Sequence, residues 1–132
     1  MQQHSLDRVN FLVVDDNKPM RHLVVTVLKA LGAKNIVEAA NGKDAFAEMA
    51  TYPADIVICD WNMSPMDGLT FTREVRSGDD SPNRYVPIIL LTGHTELSRV
   101  RAARDAGVNE FLAKPISATS IYSRIRSIIE KP

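Results

Sequence analysis

The sequence predicts an α/β fold: a five-stranded parallel sheet with helices on both faces. Three observations carry that prediction. Short apolar runs recur along the chain, and four of them stop at residues with reactive chemistry. Segments of helical pattern separate the runs, giving five strand–helix pairs in strict alternation. The runs are continuous rather than alternating, as strands buried on both faces must be. At 132 residues the chain has the size of one domain, large enough to bury about two-thirds of its unfolded surface without staples.

After a short polar lead, the first strand covers Asn10 to Val14 and runs into Asp15-Asp16. Pro19 suits the first turn of a helix, and Leu23, Val24, Val27, Leu28 and Leu31 form its apolar face. Gly32 is its C-terminal cap. A second strand, Asn35 to Ala39, leads to Asn41-Gly42, a turn and helix start. The next helix carries Ala45, Phe46 and Met49 on one side. Pro53 precedes the third strand, Ile56 to Cys59, which runs into Asp60. The third helix begins near Asp67-Gly68 and runs to Arg76. Ser77 to Asn83, rich in Gly, Asp and Pro, reads as a loop. The fourth strand, Val86 to Leu91, ends at Thr92, and the helix after it, Thr95 to Ala106, is stopped by Gly107. The fifth strand ends at Phe111-Leu112-Ala113 before Lys114-Pro115, and a last helix covers Ser117 to Glu130.

Bulk properties remove several function classes. Net charge is zero, so nothing global points to nucleic acid or an anionic membrane. No apolar stretch approaches the length of a membrane span, and Met1-Gln2-Gln3-His4 lacks a signal-peptide core. The lone Cys59 sits inside a strand pattern and reads as a small buried hydrophobe. One cysteine and no export signal favour a reducing cytoplasm. Neither G-x-G-x-x-G nor G-x-x-x-x-G-K-[ST] follows the first strand, which weakens nucleotide readings.

In an open parallel sheet all strand carboxyl ends lie along one edge, where ligands bind. Asp15, Asp16, Asp60, Thr92 and Lys114 should therefore converge. An Asp-Asp pair alone is equally well read as a helix N-cap with a neighbouring surface acid. Asp60, ending an adjacent strand, tips the balance. Two like charges near 4 Å repel by roughly 4 kcal/mol at an effective dielectric of about 20, so clustered carboxylates need a counter-cation or must take up protons. Oxygen-only ligands suit a hard ion such as Mg²⁺. Carboxylate nucleophile, metal, amine and hydroxyl together describe phosphoryl transfer onto an aspartate.

With these motifs in place, the chain resembles a receiver domain of the two-component response-regulator family, close to the stand-alone chemotaxis receiver. The resemblance runs from Val9 to Ile129 and rests on Val13-Val14-Asp15-Asp16, Asp60-Trp61-Asn62-Met63 with Met66-Asp67-Gly68, Leu91-Thr92-Gly93, and Lys114-Pro115. It implies a flavodoxin-like doubly wound (βα)5 fold, a single receiver domain with no output domain, and Asp60 as phosphoacceptor. Asp16, Asp60 and the backbone carbonyl of Asn62 would bind Mg²⁺, with Asp15 acting through a metal-bound water. Lys114 would bridge to a phosphoryl oxygen, the Lys114-Pro115 bond would be cis, and Thr92 would swing toward the phosphoryl group. The implied phosphodonor is a sensor histidine kinase or histidine phosphotransfer protein. The domain would catalyse its own phosphorylation and dephosphorylation. It would signal, as a cytoplasmic monomer or weak dimer, through a fourth-helix, fifth-strand, fifth-helix face to a downstream protein. Direct DNA binding and membrane insertion are not expected.

The sequence departs from the family pattern in places. The switch aromatic, usually tyrosine, is Phe111, so the rotamer switch keeps its ring and loses its hydroxyl. The loop proline sits one place late, in Met63-Ser64-Pro65-Met66, and Ile116 stands where dimerising receivers often carry phenylalanine. Asn62 and His94 match entrance positions that tune phosphate lifetime in the family, with an ordinary solvated loop residue as the alternative for His94, and the small Gly93 would leave the phosphoryl group open to partners and water. Arg99, Arg101 and Arg104 lie on the fourth helix. Pairing of Glu96 with Arg99 and of Arg101 with Asp105 would make this an ordinary solvated face, with an acidic partner or an anionic ligand such as a cyclic dinucleotide as the alternative. His4 and His22 read as surface residues. A haloacid-dehalogenase-like phosphatase is disfavoured, because that chemistry uses D-x-D and the third position here is Asn62.

Overall fold

A computed structural model describes residues 6–93 and 97–130. Five strands and five helices alternate: β1 (Asn10–Val14), α1 (Lys18–Ala30), β2 (Asn35–Ala39), α2 (Gly42–Met49), β3 (Ile56–Asp60), α3 (Gly68–Ser77), β4 (Ile88–Thr92), α4 (Leu97–Ala106), β5 (Glu110–Ala113) and α5 (Ala118–Glu130). All pairings are parallel, in the order β2-β1-β3-β4-β5. The predicted five-stranded parallel sheet is thus the observed one.

Alternation along each strand builds two cores. Leu12, Val14, Val57, Cys59, Ile88 and Leu90 face α2, α3 and α4, where they meet Ala45, Met49, Phe71, Val75 and Ala103. Phe11, Val13, Ile56, Ile58, Ile89 and Leu91 face α1 and α5, where they meet Val24, Leu28, Ile121 and Ile125. Every residue of β3 and β4 is buried, which is why those segments read as continuous apolar runs.

The helix ends follow the local chemistry. Asn17, Asn41 and Asp67 cap α1, α2 and α3, each side chain accepting the N–H three residues on at 2.8–2.9 Å. Gly32 and Gly107 close α1 and α4 with φ of +102°, the left-handed conformation that favours glycine.

Two expectations shift. β4 starts at Ile88 rather than Val86, because Pro87 has no N–H to give the ladder; its carbonyl still accepts from Val57 N–H at 2.9 Å. On α1 the buried set is Val24, Val25 and Leu28, while Leu23 is 46% exposed. The face toward the sheet and α5 is centred nearer Val25 than the spacing suggested, and Leu23 falls at its edge. The start of the fourth helix at Thr95 lies outside the described residues. No helix among the described residues is long and apolar enough to cross a membrane.

Candidate functional site

The strand order places the site. The chain leaves β1 toward β2 on one side and returns to β3 on the other, so a crevice opens at the carboxyl ends of β1 and β3. Asp15 follows β1 and Asp60 ends β3; both are buried, at 1% and 3% exposure. Lys114, one residue past β5, donates from Nζ to Asp60 Oδ2 at 2.9 Å. Thr92, the last residue of β4, is fully buried, and Lys114 N–H donates to its carbonyl at 2.8 Å. Asp60 and Lys114 open into a depression of about 420 Å³ whose α1 side is Asn17, Pro19, Met20 and Leu23.

The acids are not equivalent. Asn17, not an aspartate, caps α1, so the capping alternative for the Asp15-Asp16 pair is ruled out. Asp15 Oδ1 accepts from Asn17 N–H at 2.9 Å, whereas Oδ2 is buried and has no hydrogen-bond partner among the described residues. Burial, reinforced by the charges of Asp60 and Asp16 and opposed by the Asn17 bond and Lys114, lifts the Asp15 carboxyl to about 6. Asp16 is exposed, and its Oδ2 accepts from Ser64 N–H at 3.0 Å. No group of three His, Cys, Asp or Glu side chains among the described residues is gathered tightly enough to hold a metal ion by itself. The residues nevertheless fit Mg²⁺, which keeps several waters and uses few carboxylates, because Asp15 Oδ2 is an anionic oxygen still lacking a partner.

The loop after Asp60 is tightly held. Asn62 N–H approaches Asp60 Oδ1 at 3.3 Å, and Gly68 N–H donates to Trp61 O at 2.8 Å. A Cβ at Gly68 would collide with the Asp60 carbonyl and come within 2.7 Å of Leu90 Cδ1. Only glycine lets the start of α3 lie against the end of β3. The Lys114-Pro115 bond is cis, as the resemblance implied, and so is Ser64-Pro65.

Other positions singled out in the sequence are placed as follows. Gly93 and Asn62 are exposed at the site's edge, while His94, His4 and Glu96 lie outside the described residues. Cys59 is buried, and burial pushes its thiol well up, which suits a packing role. Phe111 is half-buried with its ring edge-on to Trp61, centroids 6.3 Å apart. Arg99 is half-buried with its guanidinium 5.0 Å from the centre of the Trp61 ring, whereas Arg101 and Arg104 are exposed. Among the described residues no ion pair joins Arg101 to Asp105, so the expected pairing is not made.

Two features escaped sequence reasoning. Trp61, directly after Asp60, links that loop to α4 and β5 through Arg99 and Phe111. Arg21 Nη1 donates to the main-chain carbonyl of Asp15 at 2.7 Å, and its Nε donates to Glu38 Oε1 at 3.0 Å. Their only sequence signal is an aromatic or arginine close to a site acid, which is too common to single out.

Known proteins resemble the chain in sequence and fold. The model of the response regulator receiver domain matches residues 11–126. Chemotaxis protein CheY1 of Helicobacter pylori is 33% identical over 122 residues, covering 92% of this chain and 97% of that protein. The solved structure of chemotaxis protein CheY4 of Vibrio cholerae superposes with a TM-score of 0.82 at 28% identity, covering 91% of this chain and 98% of that one. The receiver domain of the histidine kinase CKI1 from Arabidopsis thaliana, complexed with Mg²⁺ and BeF3⁻, gives 0.83 at 30% identity, with 96% and 93% covered. A family match over residues 11–126, which takes in all five strands, places this protein in the response regulator receiver domain family.

Proposed function

We propose that the chain is a phosphorylation-regulated signalling receiver that accepts a phosphoryl group on Asp60. The observation that carries this reading is the pairing of Lys114 Nζ with Asp60 Oδ2 at 2.9 Å, beside a buried Asp15 oxygen with no partner. Asp60 Oδ attacks the phosphorus of a phosphohistidine on a sensor kinase or phosphotransfer protein. The P–N bond breaks, its electron pair returns to the imidazole, and an acyl phosphate forms on Asp60. Asp16, Asp60 and the Asn62 carbonyl, with Asp15 acting through a water, would hold Mg²⁺, which would supply positive charge to offset the negative charge of the transferring group. Lys114 exchanges its contact with Asp60 for a phosphoryl oxygen, and Thr92 offers a hydroxyl at the end of β4. Water attack on the same phosphorus releases phosphate and restores the carboxylate.

The aspartyl phosphate biases a pre-existing equilibrium of the α4–β5–α5 face toward a form that binds a downstream protein. The complex of the Arabidopsis neighbour with Mg²⁺ and BeF3⁻ supports this reading of the cofactor. The test is labelling with acetyl phosphate and Mg²⁺, read by intact mass. Wild type should gain one phosphoryl group, and neither Asp60→Asn nor wild type in EDTA should. A gain that survives Asp60→Asn would place the acceptor elsewhere and sink the proposal.

A further inference from the structure

The peptide between Asp15 and Asp16 is held by a side chain that the proposed chemistry leaves unused. Arg21, one turn into α1, is only 15% exposed and forks between two acceptors: the Asp15 carbonyl at 2.7 Å and Glu38 Oε1 at 3.0 Å. On its other side, Asp15 N–H donates to Ala39 O at 3.1 Å. Ala39 follows Glu38 on β2. Both main-chain groups of Asp15 are thus tied to the edge strand, one directly and one through the guanidinium.

Peptide units are planar, so fixing that carbonyl fixes where the Asp15 and Asp16 Cα atoms stand, the points from which both side chains reach. We propose that Arg21 is a positioning residue for the cation: it sets where these two carboxylates stand relative to Asp60, and hence the Mg²⁺ affinity. This rests on the metal-assisted reading above. The planar guanidinium suits the task, since it reaches two acceptors in fixed directions, whereas a lysine amine is a point charge on a flexible stem.

Charge and position predict opposite signs here. Arg21 is a cation close to an anionic site, so deleting its charge alone should tighten Mg²⁺ binding. Loss of positioning should weaken it, and outer-shell partners of metal ligands typically change affinity about 10–100-fold. The experiment follows thermal unfolding of the full chain against MgCl2 concentration, with an EDTA reference, for wild type, Arg21→Met and Arg21→Lys. The inference expects the Mg²⁺ dissociation constant to rise roughly tenfold in Arg21→Met and by a smaller factor in Arg21→Lys. An unchanged or lower constant in Arg21→Met, with only the EDTA melting point reduced, would show a purely structural role and overturn it. If Arg21→Met does not fold, Arg21→Lys decides, because it keeps the charge and loses the fork. Wild type that Mg²⁺ fails to stabilise would take down the metal-assisted reading and this inference together. Stabilised wild type with unaltered variants overturns the inference alone.

Discussion

Replacing Asp15 by asparagine should make the metal-free protein more stable at neutral pH. The carboxylate is 1% exposed, one of its oxygens has no partner, and burial together with Asp60 and Asp16 lifts its pKa from 3.8 to about 6. At about 1.36 kcal/mol per pH unit, holding that group ionised near pH 7 costs on the order of 3 kcal/mol. The folded state binds the proton more tightly than the unfolded state. The cost is therefore absent below 3.8, grows as pH rises toward about 6, and is complete above it. Asparagine removes the charge and keeps an oxygen for the Asn17 N–H. It leaves an amide nitrogen short of an acceptor, which takes back roughly 1–2 kcal/mol. The net gain should be about 1–2 kcal/mol, or several degrees in Tm for a domain of this size. Urea unfolding in EDTA, near pH 7.5 and again near pH 4, measures it. The gain should shrink or reverse at the lower pH, and millimolar Mg²⁺ should stabilise wild type more than the variant. A variant less stable than wild type near pH 7.5, or a gain of equal size at both pH values, refutes the reasoning.

Other perturbations test neighbouring parts of the site. Gly68→Ala forces a Cβ onto the Asp60 carbonyl and Leu90; it should cost about 1–3 kcal/mol by overpacking and slow labelling of Asp60 by acetyl phosphate. A fully stable, fully active variant would mean the α3 start can yield. Arg99→Ala removes the guanidinium from the Trp61 ring. Because Trp61 is the single tryptophan, its emission should shift, and stability should fall by about 0.5–1 kcal/mol. Unaltered emission would show that the stack does not persist in solution. Leu23→Glu places a charge on the exposed apolar rim of the Asp60 cleft. It should slow transfer from a protein phosphohistidine while leaving acetyl phosphate labelling unchanged. Equal slowing with both donors would argue that Leu23 acts on the chemistry rather than on docking.

The fold was legible because its signals are local. A strand buried on both faces must be apolar at every position, and β3 and β4 show that directly as Ile56–Cys59 and Ile88–Leu91. Asn41, Asp67, Gly32 and Gly107 marked helix ends because capping and positive φ are properties of single residues. Four strand ends with chemistry on them made the gathering of Asp15, Asp60, Thr92 and Lys114 legible too, since a parallel sheet puts all carboxyl ends on one edge. Orientation was the tertiary structure's to decide. Nothing local distinguishes Asp15, buried with an oxygen unpartnered, from Asp16, exposed and turned onto Ser64 N–H. That difference comes from β3 packing against β1 and from the path of the Asp60–Gly68 loop. The exposure of Leu23, the contact of Arg99 and Phe111 with Trp61, and the grip of Arg21 on Asp15 have the same origin. Each depends on the distance between elements far apart in sequence. A residue pattern fixes which chemistry arrives at the edge of the sheet; only packing fixes which atoms face one another there.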